Sequence, residues 1–358
     1  MEPNSQPPNP PPCVTAEVID PRQYGPPRRR MGPLGGCLFV LLLLILAVSL
    51  VTNLALLAGG PAWDEAGRVE ERFFSHNRTA TDKIAILGLE GTILEGRGHV
   101  KRQIERVLKD ENVRAVVLRV NSPGGTVSGS DYLYHHLSRM AARKGIPVVV
   151  SMGAIAASGG YYVAMAVGPR PDTIFAEPTT WTGSIGVMIP HYNFADLMQN
   201  WGIEQDSIVS HRLKGIGSFT RKMTEEERAI LQTLVDESFA GFKNVVKKGR
   251  PQFQNDPAAL DKIATGQVFT ANQALQNGLV DKIGFLEDAV AQAIRLAGLS
   301  EDEVRVVEYK PEFSLMELIL GQAQARNPAR DLDALLELAV PRAYYLCSWL
   351  PPAVSNTR

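Results

Sequence analysis

"RAVVLRVNSPGG", residues 114 to 125, sets a near-continuous β-branched run directly against a turn-forming Asn-Ser-Pro and a pair of glycines. A strand with one wet face alternates apolar and polar residues. This run does not, so it reads as a strand covered on both faces, the mark of a parallel sheet. The same grammar recurs on either side. Upstream, "KIAILGLEG" (83–91) reads as a strand, and "GHVKRQIERVLKD" (98–110) as an amphipathic helix with Val100, Ile104, Val107 and Leu108 on one face. Downstream come a helix over 128–145, a buried strand "IPVVVSMG" (146–153), a helix opened by Ser158 and a strand "DTIFAEP" (172–178). The longest helix spans 224–249. Thr224 and Glu227 form its capping box, and Leu231, Leu234, Val235, Phe242, Val245 and Val246 its stripe. Helical stretches within 269–298 and a last strand "EVRVVEYK" (303–310) follow, and "AYYLCSWLPPAV" (343–354) reads as packing, with a short membrane-surface segment as the alternative. Strands alternating with helices predict an α/β fold built from parallel βαβ units.

The 358 residues are 45% apolar, enough for a large core, and a formal charge of −1 argues against broad binding to nucleic acid. Three cysteines, Cys13, Cys37 and Cys347, offer no zinc spacing, so no metal is expected. Residues 1–37 form a proline-rich tail, with ten of the 24 prolines in its first 33 residues. The uncharged run "LFVLLLLILAVSLVTNLALLA" (38–58) matches the length of a bilayer-spanning helix. Arg28, Arg29 and Arg30 just before it place the N-terminus in the cytoplasm. The expected order is therefore tail (1–37), transmembrane anchor (38–58), linker (59–81), outward-facing domain (82–300) and a C-terminal extension (301–358).

In a parallel sheet, functional groups gather at the carboxyl ends of strands. Two loops qualify: "NSPGG" (121–125) and "GAIAASGG" (153–160). On local evidence Ser158 reads first as a helix N-cap and only second as a nucleophile. Backbone N–H groups of the Gly124–Gly125 pair and of Gly159 would suit an oxyanion hole. A nucleophilic serine needs a base. Of the six histidines, His191 and His211 stay open as that base. The other candidate is Lys214, set among Leu213, Ile216, Phe219 and glycines, a setting that predicts a buried, desolvated amine.

Four motifs in order, "NSPGG", "SMGAIAASGGYYVAMA", "EPTTWTGSIGV" and "LKGIGSF", resemble the SppA signal peptide peptidases of the S49 serine peptidase family over about residues 82–300. The resemblance implies a ClpP/crotonase-like fold and a Ser–Lys dyad. Ser158 then falls on the nucleophile, Lys214 on the general base and Ser184 on the serine that hydrogen-bonds the lysine amine. The glycines of "NSPGG" fall on the oxyanion loop, with Gly125 the better donor. A single catalytic module resembles the short form of the family, which implies a homo-oligomeric ring with the dyad shared between neighbours. The resulting expectation is a membrane-anchored serine endopeptidase for apolar peptides such as remnant signal peptides, without cofactor and without nucleic acid. The rivals are a protease for one specific membrane protein, a crotonase-type acyl-CoA enzyme, and a binding scaffold with a dead site.

Overall fold

The computed structural model describes residues 33–58, 69–311 and 343–346. The tail over 1–32, residues 59–68 of the expected linker and most of 312–358 lie outside the described residues. The chain divides into two units, Met1–Asp64 and Glu65–Arg358.

In the first unit a helix, α1, runs Pro33–Ala58 over 26 residues and contains the apolar run. Its side chains are described at 39–50 and at 53. Among the described residues no helix is long and apolar enough to cross a membrane.

The second unit is built on a mixed sheet. Its strands are β1 (Val69–His76), β2 (Asp82–Glu90), β3 (Val113–Ser122), β4 (Gly124–Thr126), β5 (Val148–Ala157), β6 (Ile174–Ala176), β7 (Trp181–Gly183), β8 (Val268–Thr270), β9 (Lys282–Ile283), β10 (Val304–Pro311) and β11 (Tyr344–Leu346). The main path runs β1-β10-β2-β3-β5-β6-β9, parallel from β10 onward, with β1 antiparallel at the edge. This parallel-rich α/β sheet fits a ClpP/crotonase-like fold. The helices of this unit are α2 (His99–Lys109), α3 (Val127–Lys144), α4 (Gly159–Ala164), α5 (Ala195–Asn200), α6 (Glu225–Gly249), α7 (Gln252–Asn255), α8 (Pro257–Ile263), α9 (Ala271–Gln276) and α10 (Leu286–Ala297).

Side chains alternate across a strand, so a sheet covered twice needs two apolar cores. Val116 and Leu118 of β3 join one core with Ile104 and Val107 of α2 and Leu133 and Leu137 of α3. Ala115 and Val117 point the other way, onto Ala289, Val290, Ala293 and Ile294 of α10. The β-branched run thus meets helices on both faces, which is why it carries no polar alternation.

Three expectations need correction. Residues 69–76, read as linker, form the edge strand β1, whose partner β10 lies 228 or more positions later in the chain. The strand assigned to a C-terminal extension is internal to the sheet, between β1 and β2. "NSPGG" ends in a strand, β4, because it finds partners on both sides: β11, and Ile93 through a parallel bridge. The capping box of α6 is present, and Phe242, Val245 and Val246 are buried as predicted. Leu234, placed on the same stripe, is 49% exposed.

Candidate active site

Strand β5 delivers Ala157 to the carboxyl edge of the sheet, and α4 begins at Gly159. Ser158 is the single residue between them, with φ 55° and ψ −116°. A serine in this region costs about 1–3 kcal/mol, a strain that persists only where the surroundings fix the turn. They do so here. The Ser158 N–H donates to Gly183 O at 2.8 Å, and Tyr162 N–H donates back to Ser158 O at 2.8 Å. The hydroxyl itself caps nothing. Ser158 is 1% exposed. Its position opens the helix, as expected, but its side chain does not perform the capping that would explain it as structure.

Gly159 and Gly160 are glycines because the chain passes too close for a side chain. A Cβ on Gly159 would lie 2.4 Å from Ser130 Oγ and 3.1 Å from both Gly124 Cα and Gly125 N. A Cβ on Gly160 would lie 2.7 Å from Ser122 O. The two glycine loops singled out in the sequence are therefore in contact, and Gly124, Gly125, Gly159 and Ser158 converge on one corner. At Gly125 the approach is tighter still: a Cβ would sit 1.9 Å from Ile93 O. Gly125→Ala is expected to lower stability by about 1–3 kcal/mol, the cost of overpacking, and to displace the loop. Thermal denaturation alongside a hydrolysis assay checks this: both the midpoint and the activity fall.

Ser184 reaches the same corner through the sheet. Strand β7 pairs in parallel with β5, Ala157 opposite Gly183, so each serine is the next residue along its own strand. Ser184 is 5% exposed and also holds a positive φ, 51°, with its N–H donating to Gln267 O at 2.7 Å. Two of the four non-glycine residues with positive φ among the described residues are thus the two serines singled out by motif.

No hydrogen bond joins Lys214 to Ser158 or Ser184 among the described residues. Lys214 lies in a short turn, Arg212–Gly215, and is exposed, against the expectation of a desolvated amine. The reason is visible in its neighbours. The segment around it turns large apolar side chains outward, including Tyr192, Trp201 at 76%, Ile208 at 100% and Phe219. Among the described residues these side chains stay largely uncovered, Phe219 touching only the ring edge of Phe194. The histidine alternatives fare no better. His211 Nδ1 accepts from Leu213 N–H as the cap of the Lys214 turn, and no hydrogen bond joins His191 to Ser158 among the described residues.

The turn carrying Lys214 is nevertheless anchored. Arg221 donates to Gly215 O at 2.9 Å and to Glu227 Oε2 at 2.8 Å, while Glu227 also accepts from Thr224 N–H in the α6 capping box. The Arg221 guanidinium and the backbone N–H of Thr224 hold the Glu227 carboxyl down, to about 2. A depressed carboxyl stabilises the fold above its unfolded value and loses that contribution as pH falls toward the folded one. Glu227→Gln is therefore expected to be less stable than the wild type at pH 7, and the gap should close between about pH 4.5 and 2. Urea denaturation across that range tests the sign. This clamp was not singled out in the sequence, although the capping box that contains Glu227 was.

Sequence reasoning also missed Tyr162 and Tyr345. The Tyr345 ring stacks on Tyr162 with centroids 5.1 Å apart and tilts against Phe242 at 4.5 Å. Its hydroxyl donates to Ser238 O at 2.9 Å. Tyr162 OH donates to Asp131 Oδ1 at 2.8 Å; burial first, then this carboxylate, push its phenol far above the ordinary tyrosine range.

Comparison with known proteins follows the same residues. Residues 140–300 match the model of peptidase family S49. "Putative protease slr0021" of Synechocystis is 36% identical over 254 residues, 70% of this chain and 87% of that protein. "Protease 4" of Haemophilus influenzae is 35% identical over 229 residues, 62% of this chain but 36% of its own length. "Putative signal peptide peptidase SppA" of Enterococcus faecium is 36% identical over 208 residues, 58% of each chain. Against these last two, the chain spans between about a third and three fifths of the relative's length. On the near-complete match to the Synechocystis protein and the S49 model, the chain belongs to peptidase family S49.

Proposed function

We propose that the chain is a membrane-anchored serine endopeptidase that hydrolyses apolar peptide segments, remnant signal peptides among them. The observation that carries this reading is the strained, buried Ser158 at a strand-to-helix turn, whose hydroxyl has no capping role and whose next residue, Gly159, lies against the Gly124–Gly125 loop. Ser158 Oγ attacks a peptide carbonyl, and its proton passes to the Lys214 amine. The N–H groups of Gly125 and Gly159 hold the resulting oxyanion. Lysine then protonates the departing amine, and water repeats the sequence on the acyl-enzyme. Ser184, beside Ser158, orients the lysine amine by hydrogen bonding.

A lysine acts as a base only when desolvation keeps it neutral. Lys214 is exposed in the single chain, whereas Ser158 and Ser184 are buried. Our reading is that a neighbouring copy covers the outward apolar side chains around Lys214 and receives that lysine into its own serine pair, in a ring. The membrane anchor rests on the uncharged run 38–58 and the arginines before it. A tethered site gains effective concentration toward substrates left in the bilayer.

Mixing two inactive variants tests the shared site. Ser158→Ala and Lys214→Ala chains, co-assembled, are expected to recover a substantial fraction of activity at junctions that hold both intact residues. Rings that form and exchange subunits yet stay inactive at every ratio would show the dyad to be intramolecular.

A further inference from the structure

Two threonines of the stretch "EPTTWTGSIGV" (177–187), Thr180 and Thr182, are fully buried and turn their hydroxyls onto the backbone of β5. That strand is irregular just ahead of Ser158. Val120 of β3 pairs with Met152, but Ser122 pairs with Ala156, so β5 advances four residues while β3 advances two. At the same place β5 changes its other partner. Val150–Met152 lie against β6, and Ile155–Ala157 against β7. Such a bulge interrupts the ladder, and a strand without a continuous ladder is free to slip in register.

The threonines pin the two ends of the bulge. Thr180 Oγ1 donates to Gly153 O at 2.7 Å and lies 3.2 Å from Met152 O, at the start. Thr182 Oγ1 donates to Ala156 O at 2.6 Å, at the end, and Ala156 is the residue directly opposite it. Between them Ile155 N–H donates to Asn121 Oδ1 at 3.3 Å. Only the second pin borders the site. Beyond Ala156 the next tie between the strands is Ser158 N–H to Gly183 O at 2.8 Å, and Ser184 follows Gly183. The register of Ala156 against Thr182 therefore decides where Ser158 stands relative to Ser184. Both serines hold positive φ, 55° and 51°, conformations that only a fixed surrounding backbone maintains.

We infer that Thr182 is a positioning residue: its hydroxyl, through Ala156 O, locks β5 in the register that sets Ser158 against Ser184 for receipt of the lysine amine. This rests on the peptidase reading above. At 0% exposure Thr182 touches no substrate, so it acts through the backbone alone. A displacement of about 1 Å at the reacting atoms costs up to about 10²-fold in rate. That loss falls on kcat. The Gly124–Gly125 loop, which would hold the peptide carbonyl, lies on β4 and outside the bulge, so KM is spared.

Steady-state hydrolysis of a reporter peptide by the full chain, beside the rate at which a serine-directed covalent inhibitor labels Ser158, tests this. Thr182→Val keeps the shape and removes the hydroxyl. Its kcat is expected to fall about 10- to 100-fold with KM unchanged, and labelling to slow by the same factor. Thr182→Ser returns the hydroxyl and most of kcat. Thr182→Ala, which adds no bulk, guards against misfolding of the valine form and shows the same loss. Thr180→Val removes an equally buried hydroxyl from the far end of the bulge, so its thermal midpoint falls like that of Thr182→Val while its kcat stays near wild type. Three results would make both threonines plain structural pins and overturn the inference alone: equal kcat losses in the two valine variants, a serine form as slow as the valine form, or full kcat in folded Thr182→Val or Thr182→Ala. Absence of any Ser158-dependent hydrolysis in the wild type would overturn the peptidase reading, and this inference with it.

Discussion

Ser158→Ala lowers peptide hydrolysis by a factor on the order of 10⁴ to 10⁶, the size expected when a covalent nucleophile is removed and only binding and oxyanion donors are left. The fold survives, because alanine keeps the Cβ and the hydroxyl makes no capping bond. A second substitution separates chemistry from strain. Ser158→Gly is equally inactive, yet it relieves a backbone held at φ 55° and is expected to be more stable than wild type by about 1 kcal/mol. An inactive variant that melts higher than the active enzyme would show that the strained turn is maintained for function. Equal melting temperatures for the Ser, Ala and Gly forms would mean that the turn stores no strain. Hydrolysis near the wild-type rate in either variant would remove Ser158 from the mechanism.

Lys214→Arg is expected to be as inactive as Lys214→Ala, a loss of at least about 10³-fold. Arginine keeps the positive charge but does not deprotonate at working pH, so it is no base. If Lys214 served only to attract substrate, the arginine form would retain most of the activity. The position also separates catalytic from structural damage. Lys214 is exposed in the single chain, so neither variant should shift the thermal midpoint of the monomer.

The sheet was legible because its signal is local. "RAVVLRV" carries its double burial in its own composition, and Thr224 with Glu227 announces the start of α6 within four residues. The edge strand β1 was not legible: "VEERFFSH" is polar, and it is a strand only through pairing with β10 more than two hundred residues away. At the site, glycines marked the corner, and the distances at Gly125 and Gly159 show a reason the sequence reading did not give: other parts of the same chain approach too closely for a Cβ. Lys214 shows the reverse case. Its apolar neighbours suggested burial, but hydrophobic flanks say only that something covers them, not that the same chain does. Tyr345 was hidden for a related reason. Nothing within "AYYL" specifies a groove; the position follows from partners at Gly124–Thr126 and Met188.

Labelling with a serine-directed covalent inhibitor, followed by peptide mapping of the full-length protein, bears most directly on the assignment of Ser158 as nucleophile. The label is expected on Ser158, on the peptide containing "AIAASGGYY", with its rate of attachment reduced to background in Lys214→Ala. A label found on a different serine, or hydrolysis that continues at full rate with Ser158 unmodified and the inhibitor in excess, would contradict the account.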